Sequence, residues 1–108
     1  MTDAHPSPHV LVEVHMVPIG TGSTSVSAYV AAAEKVLRAH PTLKHELHPM
    51  ATTVEGDLDT ILAVVRQMQE AMFAMGAQRV STSLRIDDRR DKPPRSMHDK
   101  VQAVENQL

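Results

Sequence analysis

From Val10 to Val17 the chain alternates. Val10, Val12, Val14 and Met16 share one side of an extended strand, and Leu11, Glu13, His15 and Val17 share the other. The first side is wholly apolar and the second is mixed, so one face is set against a core. Pro18 ends the strand, and the small residues from Gly20 to Thr24 predict a turn. The period then changes. Val26, Tyr29, Val30, Ala33, Val36 and Leu37 recur at helical spacing, which predicts an amphipathic helix starting near Ser23 or Ser25 and stopping before Pro41. Leu43 to Val54 reads as two short strands broken around Pro49, because proline cannot donate to a ladder. Asp57 is placed to cap a second helix with Leu58, Ile61, Leu62, Val65, Met68 and Met72 on one stripe, and Gly76 to end it. Arg79 to Asp87 predicts a last strand in which Val80, Thr82, Leu84 and Ile86 alternate with Ser81, Ser83 and Arg85. Beyond the Pro93-Pro94 break, Ser96 can cap a short helix carrying Met97, Val101, Val104 and Leu108 on one side.

This order is the split βαβ arrangement of an α+β, ferredoxin-like βαββαβ sandwich with an additional C-terminal helix. Residues 1–8, which contain Pro6 and Pro8 and no periodicity, are expected to be a flexible tail ahead of a single domain over 9–108. In a sheet of order 4-1-3-2 the first strand is central, so Leu11, Glu13, His15 and Val17 lie mid-face. Leaving the aliphatic members in water is unfavourable, which predicts self-association to a dimer or tetramer.

Composition narrows the function classes. With 108 residues and 42% hydrophobic content, the chain suits one globular core. Net charge is −2, the basic residues form no long run, and the aromatic residues are Tyr29 and Phe73 alone, so nucleic acid is disfavoured as a partner. Cysteine is absent, which removes disulfide and thiolate chemistry. No stretch is long and apolar enough for a membrane span or leader, and a cytoplasmic protein without membrane contact is the expectation.

Gly20-Thr-Gly-Ser-Thr-Ser25 lacks both the third glycine of a dinucleotide fingerprint and the lysine of a P-loop, so it reads as a turn that could rim a pocket. His45 and His48 are three apart where zinc-helix histidines are four apart. With His40 nearby they read as solvated histidines and not as a metal site. No nucleophile, base and orienter stand at a diagnostic spacing, so no catalytic residues are assigned and an enzyme is not expected. Thr52, Thr53 and Glu55 bring hydroxyls and a carboxylate to the point where a strand feeds a helix. Asp57 alone suffices for the cap, which leaves a ligand role open to them beside a local structural one. Met68, Met72 and Met75 fit a core or subunit interface, and Asp87 to Lys92 fits solvated charge or local ion pairs.

Several of these segments together carry a resemblance. They are Pro18-Ile-Gly20 with Ser27-Ala-Tyr-Val30, His48-Pro-Met-Ala-Thr-Thr-Val-Glu-Gly56, Gly76-Ala-Gln-Arg-Val80, Leu84-Arg-Ile-Asp-Asp-Arg89 with Asp91-Lys92, and Lys100-Val101. Over Val10 to Val104 the chain resembles the YkoF-like, thiamine-binding group of small ferredoxin-like proteins. The resemblance implies sheet-to-sheet dimers, often paired into tetramers, that bind thiamine or its hydroxymethylpyrimidine part without established catalysis and with no cofactor. Carried over position by position, it implies Thr52, Thr53 and Glu55 as ligand residues, with Ser83 and Arg79 behind them. Glu55 could accept from the pyrimidine amino group or balance the thiazolium cation. A structural or regulatory interaction module, using the open sheet face and the C-terminal helix, is the alternative reading.

Overall fold

The computed structural model describes residues 6–108. Most of the tail expected over 1–8 lies outside the described residues. Inside them, Ser7 Oγ accepts from Asp59 N–H at 2.9 Å and the Pro8 carbonyl accepts from Leu58 N–H at 2.9 Å. Strands β1 (His9–Pro18), β2 (Lys44–Leu47), β3 (Thr52–Asp57) and β4 (Val80–Asp87) alternate with helices α1 (Ser27–Arg38) and α2 (Leu58–Ala74), and α3 (Met97–Glu105) follows. They form one antiparallel sheet of order β2-β3-β1-β4, the expected ferredoxin-like arrangement.

Register explains the faces. Val14 lies opposite Thr52 and Leu84, and Val12 opposite Val54 and Ile86, so these residues share the side that α1 and α2 cover. The core lies there: Val10, Val12, Val14 and Val54 meet Leu37 from α1 and Ile61, Val64, Met68 and Met72 from α2, all buried. The stripe read from α2 is one residue off in part, because Val64 is buried and Leu62 is 41% exposed.

Local chemistry sets the boundaries. Asp57 Oδ2 accepts from the N–H and the hydroxyl of Thr60, which caps α2 as expected. The Ser7 hydroxyl and the two Thr60 donors hold the Asp57 carboxyl below its ordinary range. At the other end Gly76, at φ +108°, takes the left-handed position after the helix. There Gly76 N–H reaches Phe73 O at 2.9 Å and Ala77 N–H reaches Met72 O at 3.3 Å. Helix α1 begins later than expected, at Ser27, with Val26 as a cap residue that has no side-chain bond. The Ser23 hydroxyl is occupied elsewhere: it accepts from Ser25 N–H at 3.1 Å and tightens the turn instead of opening the helix. Ser96 does cap α3, accepting from Asp99 N–H at 3.0 Å.

Helix α3 lies on the opposite side of the sheet from α1 and α2. Its Met97, His98, Lys100 and Val101 form a hollow with Leu11, Glu46 and Thr53 of the outer face. It covers only part of that face, and Val101, Val104 and Leu108 remain 60%, 59% and 91% exposed. Among the described residues no helix is long and apolar enough to cross a membrane.

Candidate functional site

Between the helix-side face of the sheet and α1 lies a cavity of about 160 Å³. Its apolar walls include Met16 from β1, Val26 just before α1, Val30 from α1, and Met68 and Met72 from α2. The turn from Leu47 to Ala51 closes one side, held by a bond from His48 N–H to Ala51 O at 2.9 Å. The cavity opens into a broader hollow of about 800 Å³ whose rim includes Ser25, Lys35, Arg38 and His48. The turn before α1 thus contributes to a rim, as its position suggested.

Two polar side chains face each other in this apolar setting. Glu34 from α1 is 7% exposed, and Thr52 from β3 is 4% exposed. Thr52 Oγ1 donates to Glu34 Oε2 at 3.1 Å, and Glu34 has no basic partner among the described residues. With one hydroxyl bonded to one of its oxygens, the carboxylate keeps acceptor capacity for a ligand cation or N–H donors. The helical reading passed over Glu34, although it stands four residues after Val30 and three before Leu37, inside the apolar stripe. A carboxylate interrupting a core stripe was the available signal.

Of the five residues singled out from sequence, only Thr52 reaches this cavity. The expected convergence of Thr52, Thr53 and Glu55 does not occur, because β3 runs as continuous strand to Asp57 and its side chains alternate across the sheet. Thr53 points to the outer face, in register with Glu13 and Glu46. Ser83 is on the outer face opposite His15, and Arg79 precedes β4, its carbonyl accepting from Ile19 N–H at 2.8 Å.

Glu55 also belongs to the outer face but is only 5% exposed, because α3 covers it. Its Oε1 accepts from Met97 N–H at 3.0 Å, and its Oε2 lies 3.5 Å from His9 Nε2. Met97 is the first residue of α3, where unpaired N–H groups and the helix dipole favour an anion. Glu55 therefore anchors the C-terminal helix from the sheet beneath it. The Lys100 ammonium, paired with the Asp87 carboxylate, fastens the same helix to the end of β4.

The histidines have separate local partners. His40 Nε2 meets Gln67 Oε1 at 3.2 Å, His45 Nδ1 meets Leu43 O at 3.5 Å, and His48 Nε2 lies 3.5 Å from Glu46 Oε2. Among the described residues no three metal-binding side chains stand together. The charge run after β4 makes local ion pairs. Arg89 grips Asp91 and Arg90 grips Asp88, each bond holding the carboxyl below its ordinary range.

Comparison with known proteins places these features in a family. The thiamine-binding protein family matches residues 12–105. The UPF0045 protein YqgV of Bacillus subtilis is 43% identical over 101 residues, which cover 91% of this chain and 96% of that protein. A UPF0045 protein of Methanothermobacter thermautotrophicus is 40% identical over 100 residues, covering 92% and 99%. The crystal structure of a hypothetical protein from Methanocaldococcus jannaschii superposes with a TM-score of 0.81 at 37% identity, covering 90% of this chain and 96% of that one. A proposed thiamine biosynthesis or salvage protein from Thermotoga maritima shares the fold, with a TM-score of 0.75 at 24% identity over 90% of this chain and 99% of that one.

Proposed function

We propose that this chain, which belongs to the thiamine-binding protein family, binds thiamine or its hydroxymethylpyrimidine part in the Glu34–Thr52 cavity and releases it unchanged. The observation that carries the reading is the buried Glu34 carboxylate, which has a single hydroxyl partner and faces an apolar cavity. An aminopyrimidine presents an N–H donor beside ring-nitrogen acceptors. Glu34 is suited to accept from the amino group, and Thr52 to turn its hydroxyl toward a ring nitrogen. Met68 and Met72 offer polarizable contacts to the ring, a role that aromatic residues would otherwise fill. The thiazolium cation would extend into the broader hollow, close enough to Glu34 to share its charge.

The Thr52–Glu34 pair has no third group hydrogen-bonded to it among the described residues, and we read the site as one of binding and not of turnover. We further propose that a second copy covers the rest of the outer sheet face, where Leu11 and Val17 are only half-buried and α3 leaves its apolar stripe uncovered. Thr53 and Ser83, both on that face, would then lie near the interface and not in the pyrimidine pocket. Docking of a different protein against the same stripe is the competing reading; copurification of a stoichiometric foreign subunit would favour it, and light scattering giving two or four copies of this chain would oppose it. The ligand is tested by titration calorimetry with thiamine and with hydroxymethylpyrimidine. Saturable binding of either at micromolar to millimolar concentration is expected, and no heat from either at about 10 mM would overturn the assignment.

A further inference from the structure

A second concavity lies at the other end of β1 from the pyrimidine pocket, between the first residues of β1, the end of β4 and the loop into α3. Four cationic side chains border it, Arg89, Lys92, Arg95 and Lys100, with His9 beside them and Asp87 as the sole carboxylate on the lining. Along Asp87 to Lys100 cations and carboxylates nearly balance, with Arg89, Arg90, Lys92, Arg95 and Lys100 against Asp87, Asp88, Asp91 and Asp99, so the excess of cations belongs to the lining itself. Arg89 and Lys100 are engaged with Asp91 and Asp87, and Lys92 and Arg95 have no carboxylate partner among the described residues. The nearby Glu55 carboxylate is occupied by Met97 N–H and His9.

The loop holding these cations has little freedom. Pro93 and Pro94 fix their own φ angles and force Lys92 toward an extended conformation, so the backbone that carries Lys92 and Arg95 past the cavity is restricted. Like charges gathered on a stiff frame repel one another, and an anion relieves that cost. The enclosed volume, about 30 Å³, is too small for a ring and is walled mainly by apolar surface, so an anion would lie at its mouth, against the exposed ends of Lys92 and Arg95. The Arg89–Asp91 pair is half-exposed on both sides and is therefore a weak competitor, which leaves the guanidinium fork able to exchange a carboxylate for a phosphoryl group.

We propose that Arg89, Lys92, Arg95 and Lys100 form a second ligand site, one for a phosphate-type dianion, separate from the Glu34 pocket. The anion is either inorganic phosphate or the phosphoryl group of a phosphorylated small molecule. The two sources are told apart by titrating inorganic phosphate and hydroxymethylpyrimidine phosphate while following the backbone amide signals of Lys92 and of Arg95 to Lys100. Saturable shifts in these signals are expected at millimolar phosphate or below. Equal affinities would identify phosphate alone as the recognised group, and tighter binding of the ester would identify a phosphomonoester. The double variant Lys92→Ala with Arg95→Ala, checked for an unchanged melting curve, should weaken phosphate by at least about tenfold. Glu34→Gln should leave phosphate binding intact, so this site and the pyrimidine pocket fail independently. Absence of saturable shifts up to about 10 mM phosphate, or the same affinity in the double variant, would overturn the proposal.

Discussion

Glu34 and Glu55 are buried almost equally, at 7% and 5% exposure, yet they lie on opposite sides of one sheet and have opposite kinds of company. Glu55 is supplied by its own chain: an N–H at the start of α3 and an imidazole account for both oxygens. Glu34 has one hydroxyl from Thr52 and a cavity in front of it. Burial alone does not separate a structural carboxylate from a binding one. What separates them is whether the fold itself provides the donors that burial demands. The faces differ in the same sense, since α1 and α2 close a continuous core on one and α3 covers part of the other.

The sharpest way to break this comparison is to remove equivalent apolar groups from the two faces. Leu37→Ala on the helix side should cost about 2–5 kcal/mol in denaturant unfolding, because Leu37 is 1% exposed and would leave a cavity. Val101→Ala on α3, 60% exposed, should cost less than about 0.5 kcal/mol in the monomer. A comparable loss at both positions would mean that the outer face is covered as completely as the inner one, as a second copy would cover it. Gly56→Ala should cost about 1–3 kcal/mol: φ is +153°, and the added Cβ would stand 2.6 Å from the Leu43 side chain, itself core-buried at 3% exposure. Thr82→Val should raise stability by about 1 kcal/mol, because Thr82 Oγ1 is buried without a hydrogen-bond partner and the methyl group retains its shape. A loss of stability there would show that the hydroxyl has a partner in solution.

The architecture was legible because it depends on periodicity. Val10 to Met16 alternate, the α1 and α2 stripes recur at helical spacing, and Asp57, Gly76 and Ser96 mark helix ends through chemistry local to a few residues. The site was less legible for two physical reasons. Ending β3 near Val54 hid the alternation that sends Thr52 to one face and Thr53 and Glu55 to the other, and extension of the ladder to Asp57 depends on pairing with β1. Glu34 was missed because its meaning comes from Thr52, eighteen residues away in sequence, and from the absence of a cation that only packing can reveal. The partner of Glu55 is forty-two residues distant, beyond any local pattern.

The most direct measurement compares the two carboxylates in one experiment, titrating hydroxymethylpyrimidine calorimetrically into the native chain, Glu34→Gln and Glu55→Gln, with amide exchange of α3 recorded on each. Glu34→Gln should weaken binding by at least about tenfold while α3 exchanges as in the native chain. Glu55→Gln should speed exchange along α3, because a charge-assisted bond at its N-terminus is replaced by a neutral one, and should leave the affinity within about threefold. The reverse outcome, with binding lost in Glu55→Gln and retained in Glu34→Gln, would place the ligand on the outer face and contradict the assignment of Glu34 as its recognition group.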